Sequence, residues 1–133
     1  MKNLILLGAF AALSGCVMPT DDLLNNRYME HVPEAPPAGM AGDWTGTMGP
    51  YLLTLRIDQD GTGRMCSSYL QNNSVNALKY AGGTLYYQDG TRTAANYSSD
   101  TLTILAPYFN SQPSRLVRDT GLKQAAPYCQ QNL

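Results

Sequence analysis

Histidine and glutamate are scarce in this chain of 133 residues, and from Asp43 to the C-terminus both are missing. A metal centre built on imidazoles, or a nucleophile activated by a histidine base, needs partners that this stretch does not supply. The one histidine, His31, lies before it. A surplus of one charge is lacking too. Nine Lys and Arg stand against ten Asp and Glu, so there is no electrostatic reason to expect nucleic acid as a partner. Long apolar runs are also few. The run Leu4 to Leu13 (LILLGAFAAL) holds ten apolar or small residues, about half of what a membrane-spanning helix needs. Cysteine occurs three times, as Cys16, Cys66 and Cys129.

What is present begins with that short apolar run. It follows Met1-Lys2-Asn3 and ends in Leu13-Ser14-Gly15-Cys16, the arrangement of a basic n-region and an h-region. The four closing residues resemble the bacterial lipobox. That resemblance implies a diacylglycerol on the Cys16 thiol, cleavage just before Cys16 and acylation of the new N-terminus. Several acyl chains together hold a protein on a membrane effectively permanently. Val17 stands where an Asp would retain such a lipoprotein in the inner membrane, so the resemblance points to the cell outer membrane. Residues 1–15 are therefore expected to be a signal peptide. The mature chain of 118 residues then carries eight basic and ten acidic side chains, one domain's worth of chain.

With Cys16 taken by lipid, Cys66 and Cys129 form an even pair in an oxidising compartment, where a disulfide is expected in place of two buried thiols. Residues 16–41 carry Pro19, Pro33, Pro36 and Pro37. They are expected to form a tether, with a short helix around Asp21–Glu30 and a semi-rigid spacer after it that lifts the domain off the membrane.

From Gly42 the pattern changes to segments of period two. In Tyr51–Ile57, Tyr51, Leu53, Leu55 and Ile57 share one face. Asp58-Gln59-Asp60-Gly61, Gly82-Gly83, Asp89-Gly90 and Ser98-Ser99-Asp100 mark reversals, and Gln71–Ser74 reads as a polar loop. A helical turn is expected over Leu122–Ala126. The fold class is all-β: residues 42–133 form a small antiparallel meander of about eight strands, which closes into a barrel and so removes its edges. Gly42-Asp43-Trp44 resembles the Gly-x-Trp signature of lipocalin-like barrels, which implies that Trp44 plugs one end. The run from Gly42 through Asp60-Gly61-Thr62-Gly63 and Cys66 to Pro127-Tyr128-Cys129 resembles a group of small uncharacterised proteobacterial lipoproteins. That group implies fold and location but brings no activity.

Three features carry possible chemistry. Asp58-Gln59-Asp60-Gly61 has part of a calcium loop, yet Ser67 stands where the loop's bidentate Glu belongs, so a hairpin turn suffices. The aspartates Asp58, Asp60, Asp89, Asp100 and Asp119 fall at reversals, where turn hydrogen bonding accounts for them. No metal, cofactor or catalytic residue is assigned, and the chain is not expected to be an enzyme. Seven tyrosines lie between Tyr69 and Tyr128. They either cap the barrel or form an exposed patch for a partner, and Tyr86, Tyr87, Tyr97 and Tyr108 are the candidates. The expected function is a binding or accessory module of the cell envelope, held by its lipid and docked to a protein. The alternatives are an inhibitor of a lysozyme or protease, and a lipocalin-like carrier of a small apolar ligand.

Overall fold

The structure, a computed structural model, describes residues 15–133. The signal peptide expected over residues 1–15 thus lies, except for Gly15, outside the described residues. Eight strands follow one another: β1 (Gly42–Met48), β2 (Tyr51–Ile57), β3 (Thr62–Tyr69), β4 (Asn72–Ala81), β5 (Thr84–Tyr87), β6 (Arg92–Ser98), β7 (Thr101–Leu105) and β8 (Ser114–Arg118). Each pairs antiparallel with the next, and β8 pairs back onto β1, with Trp44 opposite Arg118 and Gly46 opposite Leu116. The expected all-β meander is therefore a closed eight-stranded barrel.

The period of two places Trp44, Leu53, Leu55, Ile57, Leu78, Leu85, Tyr87, Leu102, Ile104 and Leu116 inside, all almost fully buried. At roughly 1.5–3 kcal/mol for each large apolar side chain taken from water, this set is the main favourable term. Gly46 permits the closure, because a Cβ there would run into the Arg115 carbonyl and the Leu116 backbone.

The outer wall is covered in two places. Over β1 to β4 lies the C-terminal segment, which ends in helix α2 (Pro127–Asn132) packed on β3 and β4. Cys66 and Cys129 are joined, their Cα atoms 5.7 Å apart, in a small outer core with Leu122, Ala125 and Ala126. Asp119 is buried beneath this segment. It accepts hydrogen bonds from Thr45 Oγ1 (2.8 Å) and the Gln124 amide (3.0 Å), while Thr54 Oγ1 lies 2.9 Å from Thr45 Oγ1. Thr54 is thus on the outer face but shielded from water.

The second cover corrects the tether. Residues 19–41 do not stand off as a spacer; they lie along the barrel as a strap. Helix α1 (Pro19–Leu24) is shorter than expected, and a single 3-10 turn follows at Tyr28–Glu30. Asn26 divides them. Its Oδ1 accepts from the Tyr28 amide (3.0 Å) and its Nδ2 donates to the Gln88 carbonyl (2.8 Å), local bonds that compete with a continuing helix. Farther on, the Glu34 amide donates to the Tyr80 carbonyl (2.8 Å) and Glu34 Oε2 accepts from the Gly82 amide (3.1 Å). The prolines suit this extended course, and Met40 ends it as a core residue, 1% exposed.

Two further expectations shift. Of the loop expected over Gln71–Ser74 only Gln71 is turn and the rest is strand, because a two-residue turn at Leu70-Gln71, with Leu70 at φ +53°, lets β3 and β4 pair as far as Tyr69 and Asn72. Their polar side chains answer one another across the ladder, Ser67 with Ser74 and Ser68 with Asn73. The C-terminal helix starts at Pro127, not within Leu122–Ala126. Leu122 sits at φ +58°, whereas proline's fixed φ suits a first helical turn.

Candidate functional site

Sequence and topology bring together two sets of unusual side chains: a plug at one end of the barrel and a seam between strap and wall. The plug is built on Trp44, the first inward residue of β1. Its indole Nε1 donates to the Met40 carbonyl (2.8 Å), so the strap's last residues are fixed by the side chain they cover. From β8, the Arg118 guanidinium lies 4.3 Å from the Trp44 ring, a cation–π contact. It also donates to the carbonyls of Ala41 and Gly39. Gly42, at φ +135°, leaves room for it; a Cβ there would stand 2.8 Å from Arg118 Nη1. Tyr97 meets Trp44 edge-on at 5.8 Å between centroids. Gly42 and Trp44 therefore sit at a barrel end, as their resemblance implies. Met40 and Arg118 complete the plug and were not legible as its partners.

The seam runs down the wall along β4, β5 and β6. His31 stacks on Tyr86 with centroids 3.5 Å apart and planes 17° apart. Lys79 Nζ donates to the Tyr28 carbonyl (3.1 Å) and lies 4.2 Å from the Tyr28 ring. At the lower end Tyr108 Oη donates to Asp22 Oδ2 (2.7 Å), and Arg92 Nε stands 3.4 Å from the same carboxylate. A cleft of about 340 Å³ opens here, bounded by Asp22, Tyr28, His31, Tyr86 and Arg92.

The four candidate tyrosines do not make one patch, which corrects the aromatic-surface expectation. Tyr87 points into the barrel, is 2% exposed and pairs its hydroxyl with Thr93 Oγ1 at 2.7 Å. Tyr97 belongs to the plug, while Tyr86 and Tyr108 are partly covered by the chain's own strap. Adjacent strand residues face opposite ways, so only one of Tyr86 and Tyr87 could have been outside. Burial pushes the Tyr87 phenol far above its ordinary range. The Tyr108 phenol is pushed up to about 12, by burial first and then by its bond to the Asp22 carboxylate. Both are neutral hydrogen-bonding groups at pH 7, suited to holding structure and not to moving protons.

Two aspartates at reversals act within their turns, Asp60 accepting from the Thr62 amide (2.9 Å) and Asp89 from the Thr91 amide (2.9 Å), whereas the exposed Asp100 lies 3.7 Å from Arg118 Nε. Asp119 is a buried staple of the C-terminal segment. Among the described residues, no three of His, Cys, Asp and Glu are grouped so as to hold a metal ion.

A family model described as the bacterial lipocalin LPS transport optimiser YedD matches residues 25–133, from the strap to the last residue. The chain belongs to the YedD family. The match takes in both the plug and the covered wall, and the strap from Asn25 onward is part of what the YedD model describes. Among solved structures, the lipoprotein YedD from Klebsiella pneumoniae is 18% identical, with a TM-score of 0.57, over 80% of this chain and 91% of that one. A Streptococcus pneumoniae protein assigned as a lipoprotein is 16% identical, with a TM-score of 0.55, over 65% of this chain and 99% of that one. At such identities the two structures speak for the barrel fold. No curated protein matches the chain. As a member of the YedD family the protein is an envelope lipoprotein with a lipocalin-like barrel. Among the described residues no helix is long and apolar enough to cross a membrane.

Proposed function

We propose that the protein is acylated at Cys16, anchored in the outer membrane, and assists lipopolysaccharide transport by binding a protein of the envelope through the outside of its barrel. The observation that carries this reading is the family match over residues 25–133, whose description names lipopolysaccharide transport. Two structural features support the mode of action. Apolar side chains from all strands but β3 and β6 fill the inside with almost no exposure, in the space where a lipocalin-like carrier would hold its ligand. The clefts of 340 and 430 Å³ beside Arg92 lie on the outer wall. A filled barrel with a decorated exterior is suited to docking.

The test is complementation of a strain lacking the gene, with pulse-labelled lipopolysaccharide measured at the cell surface. The wild-type chain restores the rate of arrival, and Cys16→Ala does not. In-cell photocrosslinking from exposed wall positions such as Asn96 then yields a reproducible adduct with an envelope protein. Unchanged arrival in the deletion strain, or full rescue by Cys16→Ala, would contradict the reading.

A further inference from the structure

The two ends of this barrel differ in chemistry. In an up-and-down barrel the odd-to-even connections share one end, and the even-to-odd connections share the other. At the plugged end the turns are polar: Asp58–Gly61, Gly82-Gly83 and Ser99-Asp100. At the opposite end three of the four connections carry exposed apolar side chains: Tyr51 after the β1–β2 turn, Tyr69 and Leu70 at the β3–β4 turn, and Phe109 in the β7–β8 loop; the fourth, the β5–β6 turn, is the polar Gln88-Asp89-Gly90-Thr91. Tyr51 and Tyr69 meet edge-on at 5.7 Å. Leu70 and Phe109 are each 80% exposed. Leu70 moreover holds a left-handed backbone, φ +53°, at a hairpin position that favours Asn or Gly. Folding alone gives no reason for a leucine there.

The strap begins at this same apolar end. Helix α1 is fastened through Asp22 to Tyr108, the neighbour of Phe109, and Asn26 is fastened to Gln88 beside the β5–β6 turn. Leu24 on that helix is 84% exposed. Cys16 precedes Pro19 by three residues, so at most about 10 Å of extended chain separates them. We infer that the apolar-tipped end is a membrane-seating face: Tyr51, Tyr69, Leu70, Phe109 and Leu24 enter the headgroup region of the phospholipid leaflet that holds the anchor. The inference rests on acylation of Cys16, and it adds an orientation, with the Trp44 plug pointing away from the bilayer. Tyrosine rings and a few large apolar tips without a basic cluster suit an interfacial contact of this kind.

The experiment uses the full acylated protein in phosphatidylcholine vesicles whose acyl chains are brominated to quench tryptophan. Trp44 is the one native tryptophan and serves as an internal reference at the far end. F109W and L70W place probes on the seating face, and Q59W places one in a polar turn at the plugged end. The added emission of F109W and L70W is expected to fall by about half in brominated relative to plain vesicles, as for side chains at the acyl boundary, while Q59W and the wild type stay unchanged. If the protein floats with the vesicles but F109W and L70W are not quenched, or Q59W is quenched equally, the seating face is overturned and the anchor stands. If the protein does not float and its N-terminal peptide carries no acyl mass, the anchor fails and the orientation fails with it.

Discussion

Removing the Cys66–Cys129 link by replacing both cysteines with alanine tests how the C-terminal segment supports the barrel. The bridged residues are 63 apart in sequence. In the chain-entropy model, a loop of that length restricts the unfolded chain by about 14 cal/mol/K, or about 4 kcal/mol at 25 °C. Both sulfurs are fully buried in the outer core, and the space they leave adds roughly 1 kcal/mol of lost packing. The sum, about 5 kcal/mol, is comparable with the whole stability of a marginal domain, about 5–15 kcal/mol. The variant should therefore remain folded, but only just. With a urea slope of about 1.5 kcal/mol/M, its midpoint should fall by about 3 M.

The assay is urea unfolding followed by far-ultraviolet circular dichroism, alongside Trp44 fluorescence for the plug. Asp119, Leu122 and their bonds remain in the variant, so a single transition is expected, with a steeper slope because the unlinked unfolded chain exposes more surface. Coincident curves for the oxidised wild type and the variant would refute the loop argument. Two separated transitions would show that the C-terminal segment leaves alone and that the barrel does not need it.

Other expectations follow from the plug, the closure and the seam. Met40→Ala should cost about 2–5 kcal/mol, as for other buried Met-to-Ala changes, and shift Trp44 emission to the red; unchanged emission would mean that Met40 does not seal the plug. Gly46→Ala forces β8 away from β1 and should cost about 1–3 kcal/mol by overpacking, read as a lower melting temperature; an unaltered melt would contradict the close approach. Tyr108 titrates above its ordinary range, so its contribution is fully present below about pH 10 and is lost as pH rises through about 12. The melting temperature should therefore drop over that window by more than it does in Tyr108→Phe, which should lack this step. A step that persists in Tyr108→Phe would assign it elsewhere.

The barrel was legible because its physics is local. Leu53, Leu55 and Ile57 announce an inward face by alternation, and the Asp-Gly and Gly-Gly pairs announce the reversals between strands. The strap was not legible, because its cues are those of a spacer: prolines, acidic residues and no periodicity. Its attachment depends on groups far away in sequence, such as Tyr80 for Glu34 and Tyr108 for Asp22, and pairing at that separation leaves no local trace. Met40 could be suspected only from its position four residues before Trp44. The tyrosines show the same limit from the other side. Composition shows that they are many, but only the register of β5 decides that Tyr87 is core and Tyr86 is wall. Asp119 looks like any turn aspartate until the fold places Thr45 and Gln124 around it.

The strap also fixes how mechanical load reaches the barrel. Given the lipid proposed for Cys16, only Val17 and Met18 separate that attachment point from helix α1, which leaves almost no slack. Tension on the N-terminus acts first on the Asp22–Tyr108 bond, then on Asn26 and on the His31–Tyr86 stack, and reaches the Trp44–Arg118 clasp last. The bonds are met in series, in a peeling geometry, and each is weak alone. Such a pull can lift the first contacts while the barrel stays shut, and the strap can then lie back down without refolding the protein.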